Sequence, residues 1–122
     1  MITFKKFLQL FEAEKTPIKV VYHPEFLPSY KAFLNVNGIR DALKEFFRCK
    51  KQWPQEKLIA SFKDHALQGS YFKKHKILEC HLAGDVLLLY RFDSHILNPL
   101  ICCTHSDLKG GRIASLQKLL KL

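Results

Sequence analysis

The chain is short of acids. Asp and Glu number 11 against 20 Lys and Arg, a formal net charge of +9 over 122 residues. Five glycines and five prolines are too few for a low-complexity chain or one built of linkers. The longest apolar run, Val86–Tyr90, falls far short of the roughly 20 residues that cross a bilayer. The opening stretch MITFKKFLQLFEAEK has no continuous apolar segment and no small-residue cleavage site. It therefore does not read as a signal peptide, no membrane partner is expected, and the expected compartment is the cytoplasm. The four cysteines (49, 80, 102, 103) show no CxxC spacing, which suits neither a disulfide framework nor a zinc knuckle. They read as buried thiols in a reducing compartment. There is no Gly-rich phosphate loop, no GxSxG and no HExxH.

What is present suits one folded domain spanning 1–122, with 48% hydrophobic residues and length enough to bury a core. The positive charge is concentrated: ten basic residues and four acids lie between Arg40 and Lys76. A stripe of this kind fits a polyanion such as nucleic acid, or else a lysine-rich solvated surface.

Residues 3–14 place Phe4, Phe7, Leu8 and Phe11 at helical spacing, and Thr16-Pro17 ends that helix. IKVVYH (18–23) reads as a short strand. Phe26, Leu27, Tyr30, Phe33 and Leu34 resume helical spacing, Asn37-Gly38 turns, and Ile39, Ala42, Leu43, Phe46 and Phe47 form a second helical stripe. The opposite face of that stripe is Arg40, Lys44, Arg48 and Lys51. Beyond Lys63 the period changes. HALQGSY is expected to be extended. ILECHL alternates, with Leu78, Cys80 and Leu82 on one face and Ile77, Glu79 and His81 on the other. DVLLLYRF reads as a central strand buried on both faces. Asp93-Ser94 turns the chain. ILNPLICCTH is a last strand whose Pro99 must lie at an edge or a bulge, and whose Cys102 and Cys103 point to opposite faces. Ile113, Leu116, Leu119 and Leu120 make a final short helix or tail. The fold class is α+β, with a helical hairpin packed on a four- to five-stranded, mostly antiparallel sheet and extra helices at both ends. The terminal additions, 1–15 and 109–122, are amphipathic and expected to pack on their own domain.

His65 opens the first strand of the meander, His81 ends the second, His105 closes the last, and Asp85 opens the central one across the Ala83-Gly84 turn. One sheet can hold such groups together, since neighbouring strands lie about 4.8 Å apart. Imidazoles suit proton transfer near neutral pH, and a carboxylate can act as a base or orient a histidinium. Metal-free RNA cleavage needs such a set: a base for the 2′-OH, an acid for the departing 5′-oxygen, and a cation for the developing charge. Each of these residues is also an ordinary strand-end histidine or turn aspartate. The four as a zinc site would lack the close-spaced ligand pair usual in structural sites, so no metal or other cofactor is expected.

DHALQGSY (64–71), ECHLAGDVLLLY (79–90) and THSDL (104–108), in that order, resemble the YafQ-like branch of the RelE superfamily of bacterial toxins. The resemblance implies a microbial-RNase-like α+β fold. It implies a metal-independent endoribonuclease that cleaves mRNA, usually in the A site of the 30S ribosome, and is neutralised by a cognate antitoxin. His65, His81, Asp85 and His105 match the family's functional positions. His105 is then the general acid, Asp85 or His65 the base, and His81 the group that positions phosphate. The chain departs from the pattern at Leu78, where an arginine is usual. It departs again at Gly84, Val86 and Lys109, where the family has proline, often a large side chain, and phenylalanine. Lys73 or Lys74 would supply the missing cation. RNA contacts are expected at Arg40, Lys44, Arg48, Lys51, Lys73, Lys74, Arg91 and Lys109. The alternative is a catalytically degenerate member that binds RNA or antitoxin without cleaving; a third reading is a ribonuclease that needs no ribosome. With +9 on this chain, the antitoxin should be acidic.

Overall fold

The structure is a computed structural model that describes residues 3–11 and 17–122. In chain order its elements are α1 (Phe4–Phe11), β1 (Lys19–Val20), α2 (Phe26–Lys31), α3 (Ile39–Lys50), a 3-10 turn (Ala60–Phe62), β2 (His65–Ala66), α4 (Ser70–Lys74), β3 (Leu78–His81), β4 (Val86–Asp93), β5 (Ile96–Thr104), a second 3-10 turn (His105–Leu108) and α5 (Arg112–Leu120). The sheet order is β1-β5-β4-β3-β2. β1 runs parallel to β5, and every other pair is antiparallel. This is the α+β architecture expected, with five strands.

β4 sits at the centre, and its alternation divides the core. Val86, Leu88 and Tyr90 join Cys80, Leu97 and Cys102 on a first face, beneath α1, α2 and α3. Leu87 and Leu89 join Ile77, Leu100, Ile101 and Cys103 on a second face, beneath Phe72 of α4 and Leu116 and Leu120 of α5. Adjacent Cys102 and Cys103 thus serve opposite faces, as strand geometry requires. Pro99 lies at a bulge: Leu89 pairs with Ile101 while Tyr90 pairs with Pro99, so Leu100 is the extra residue. The bulge lets consecutive Leu100 and Ile101 serve the same face. The Pro99 carbonyl accepts from the His23 amide at 2.9 Å.

Helix α1 follows from Thr3, whose Oγ1 accepts from the Lys6 amide at 3.2 Å and caps it. Its Phe7 is fully buried among Tyr22, Phe26, Tyr30 and Phe47, with ring centroids 5.3–6.4 Å away. The part of this helix expected over 12–14, and the Thr16 break, lie outside the described residues. At the other terminus α5 packs on the second face. Gly38, at φ 84°, admits the chain to α3.

Three expectations need correction. HALQGSY is not extended throughout. The strand stops at Ala66, Gly69 takes φ 107°, and Ser70–Lys74 is helical because that turn buries Phe72 in the second core. IKVVYH contributes only Lys19–Val20 as ladder, although Val21 and His23 still donate to Leu97 and Pro99 carbonyls at 2.9 Å. Lys51 is not on an open helix face: it is 7% exposed.

Candidate active site

Register builds the site. His65 pairs with Glu79 across β2 and β3, and His81 pairs with Leu87 across β3 and β4. Directly opposed residues share a face. His65, Glu79 and His81 therefore stand on the second face, at the end where its apolar cluster stops. The ladder between β4 and β5 closes at Val86 and Thr104. Asp85 comes just before that pair and His105 just after it. This places them side by side, and His105 Nδ1 hydrogen-bonds Asp85 Oδ1.

Asp85 takes its place from the turn. The Leu82 and Val86 amides donate to the Val86 and Ala83 carbonyls at 2.9 Å, and Gly84 adopts φ 56°. His105 takes its place from a capping box, in which the Thr104 amide and hydroxyl both donate to Asp107 Oδ2, at 2.9 and 3.0 Å. Arg112 of α5 lies 3.7 Å from the same carboxylate. His65 is tied back through Nδ1 to the Lys63 carbonyl. Its neighbour Asp64 is held by Lys50 at 2.6 Å and accepts from the Tyr90 hydroxyl. The motif aspartate is thus a structural anchor for the strand that carries His65.

Two imidazoles face one another with opposite support. The His81 and His105 ring centroids are 4.8 Å apart. His81 Nε2 lies 3.2 Å from Glu79 Oε1, a carboxylate only 6% exposed. His65 Nε2 reaches the same oxygen at 4.0 Å. Burial lowers the His81 pKa, Glu79 pulls it back up, and His105 and Lys63 push it down. His81 is therefore neutral at neutral pH. With Nε2–H donated to Glu79, its Nδ1 is left as a proton acceptor. The Asp85 carboxyl is held below its usual range chiefly by the hydrogen bond from His105, and Lys109 adds to this. Asp85 engages His105 through Nδ1, so Nε2 is the His105 nitrogen turned away from that carboxylate. Glu79, His81 and His105 also each present a ligand atom within 4.8 Å of the other two.

All four expected acid–base residues come together here, with Lys109 beside them. Three groups were not nominated from the sequence: Glu79, Asp107 and Lys63. Glu79 was signalled by sharing the His81 face in the ILECHL alternation, and Asp107 by standing three residues after Thr104. The remaining cations lie elsewhere. Arg40, Lys44, Arg48 and Lys51 belong to α3 and the residue after it, on the other side of the sheet from the histidines. Arg48 is already engaged by Glu45 and, at 2.8 Å, by Glu56. Lys73 and Lys74 end α4. Lys74 and Arg91 border a cleft at the far end of the β4–β5 hairpin.

The sequence matches, over residues 18–110, the family model described as "Bacterial toxin of type II toxin-antitoxin system, YafQ". No curated protein sequence matches it. Among solved structures it is similar to a copper-bound mutant toxin from Helicobacter pylori, at 27% identity and a TM-score of 0.62, covering 75% of this chain and 99% of that one. It is also similar to the toxin of the E. coli DinJ-YafQ complex, at 23% identity and a TM-score of 0.63, covering 77% and 99%. The family match leaves out α1 and α5.

Proposed function

Because the chain belongs to the YafQ family of type II toxin–antitoxin toxins, we propose that it is an endoribonuclease cleaving mRNA on the ribosome in the cytoplasm. The observation that carries this reading is the pair of facing imidazoles with opposite support, Glu79 behind His81 and Asp85 behind His105. His81 Nδ1 removes the 2′-OH proton. The alkoxide attacks the adjacent phosphorus, and the bond from phosphorus to the 5′-oxygen breaks. His105 Nε2–H delivers its proton to that oxygen, leaving a 2′,3′-cyclic phosphate and a 5′-hydroxyl. This redistributes the roles expected from the resemblance. Asp85 Oδ1 is occupied by His105, and the His65 Nε2 is turned toward the Glu79 carboxylate at 4.0 Å, whereas the His81 ring sits 4.8 Å from that of His105, so His81 is the better-placed base. Lys63 and Lys109 flank the pair and supply positive charge in place of the arginine absent at Leu78. An acidic antitoxin would neutralise the toxin, in keeping with the antitoxin complex of the E. coli protein of like fold.

The test is a translation reaction with a defined message and chelator, given wild-type protein or the His105→Ala/Asp85→Ala variant. Cuts by the wild type alone, only on translated message, support the reading. Cuts on naked RNA detach it from the ribosome. Binding without cuts in both proteins replaces it with the degenerate binder. A second reading comes from the Glu79–His81–His105 triad, whose two imidazoles and one carboxylate suit a transition metal. The similar Helicobacter toxin is copper-bound. If the triad holds an ion, Cu²⁺ or Zn²⁺ inhibits cleavage by occupying the nitrogens that move protons, and chelator restores it.

A further inference from the structure

His105 sits on the turn His105–Leu108, none of whose residues is buried, although Leu108 touches the second core. Packing therefore fixes this turn less firmly than it fixes the strands. Polar contacts do the rest. Asp107 Oδ2 accepts from the Thr104 amide and hydroxyl, and that hydroxyl lies 3.0 Å from the Ser106 hydroxyl. Asp107 Oδ1 faces Arg112, whose Nη1 is 3.7 Å away and donates to Ser106 Oγ at 3.4 Å. One guanidinium thus meets both residues that follow His105.

Arg112 is delivered by α5, which lies outside the residues the family model matches. That helix is held at both ends. At its start the Arg112 and Ile113 amides donate to the Lys109 and Gly110 carbonyls at 3.2 Å. Along its length Leu116 and Leu120 are buried in the second core. At its end the Leu120 carbonyl, one of those left without an intrahelical partner, lies 2.6 Å from His23 Nε2. His23 Nδ1 accepts from the Glu25 amide at 3.0 Å, so Nε2 carries the proton and donates it. The His23 amide donates to the Pro99 carbonyl of β5 at 2.9 Å. The lengths agree. α5 spans about 13 Å at 1.5 Å per residue, and β5 from Thr104 back to Pro99 spans about 16 Å at 3.3 Å per residue. β5, the turn and α5 close into a loop, with His105 at one corner and the His23 bond at the other.

We infer that Arg112 is a positioning residue for His105, with α5 as its mount: it holds Asp107 and Ser106, and through them sets the imidazole that donates the proton. The inference rests on the ribonuclease reading for what His105 does, but the contact itself can be read without cleavage. The rival is a guanidinium that grips RNA phosphate directly, since the Arg112 side chain is 66% exposed. The two differ in their dependence on Asp107. Acting through that carboxylate, Arg112 has little left to do once its charge is removed; acting on RNA, its loss adds to the loss of Asp107.

The test compares wild type, Arg112→Gln, Asp107→Asn and the double variant, all well below their urea midpoints so that every protein is folded. Cleavage is followed on ribosomes programmed with a defined message, in chelator, to give kcat and KM. Arg112→Gln should lower kcat about five- to tenfold at unchanged KM, because a small misplacement of a reacting group is costly. The double variant should be within about twofold of the slower single one. In the free proteins, NMR should show a cross-relaxation peak between the His81 and His105 rings, whose centroids are 4.8 Å apart, and Arg112→Gln should weaken it at least twofold. If the two single effects multiply in the double variant, or KM rises while kcat holds, Arg112 binds RNA and the proposal falls while the ribonuclease reading stands. If Arg112→Gln keeps both the wild-type kcat and the ring peak, the proposal falls too. If the wild type cuts nothing, the ribonuclease reading falls and the ring peak decides alone: weakened in Arg112→Gln it supports the assigned contact, and unchanged it overturns it.

Discussion

The two faces of one sheet do different work here. The first is covered by three helices and filled with large rings: Phe7, Phe26, Tyr30, Phe46 and Phe47 close over Leu88 and Tyr90. The second carries a smaller apolar cluster beneath α4 and α5. That cluster stops short of the β3–β4 turn, and His81, His105 and Asp85 fill the uncovered end, with buried Glu79 behind His81. The lesson is about division of labour. Polar groups at a sheet end can be tuned by neighbours without disturbing the core, because the opposite face supplies most of the burial.

The comparison breaks most sharply at His105. His105→Ala should lower the cleavage rate by about 10²–10⁴-fold, the usual worth of a positioned proton donor. Its stability in urea should stay within about 0.5 kcal/mol of wild type, as for a side chain outside the core. Leu88→Ala makes the opposite break. Leu88 is fully buried on the first face, so its truncation should cost about 2–5 kcal/mol of unfolding free energy. Residual folded protein should still cleave.

Glu79→Gln sharpens the comparison on the second face. Burial lowers the His81 pKa and Glu79 opposes this. Activity should rise with pH as His81 loses its proton, with the acidic limb below the ordinary histidine value of about 6.5. Removing the Glu79 charge should move that limb to still lower pH and cut kcat by about three- to tenfold, since a weaker base accepts the proton less readily. The sign for stability follows. His81 binds its proton more readily unfolded than folded, so it has no effect well above pH 6.5. It destabilises the fold as pH falls from 6.5 toward its folded value. Thermal melts across that window should show the loss, and His81→Gln should remove it. The smallest effect belongs to the hairpin that joins β4 to β5. Ser94 and His95 both adopt positive φ, 51° and 63°, in the two-residue turn between Asp93 and Ile96. Ser94→Asn suits that conformation better and should add about 0.5 kcal/mol, read as a small rise in Tm.

Local pattern made much of this legible. The stripe from Ile39 to Phe47 is α3, and the double burial of Val86–Tyr90 is β4. The missing amide of Pro99 falls at a bulge. The Ser70–Lys74 helix was not legible: it is one short turn, held by burying Phe72 in a core that other elements complete. Nor was the pairing of Arg48 or the placement of α3. Spacing showed that Arg40, Lys44 and Arg48 share a helix face, but not that Glu56 would reach Arg48 from the following loop or that α3 would lie across the sheet from the histidines.

By itself the sequence determined the element types, the central strand, and an inventory of imidazoles and a carboxylate at strand ends. These follow from periods of 2.0 and 3.6 residues and from turn chemistry, which act within a few positions of the chain. The tertiary structure alone decided which of those groups meet. Strand register put His65 against Glu79, the end of one ladder put Asp85 against His105, and an uncovered sheet end left that last pair facing outward. Proton affinities and neighbouring charges act through space over a few ångströms, between residues as far apart in the chain as 85 and 105, so no local pattern encodes them.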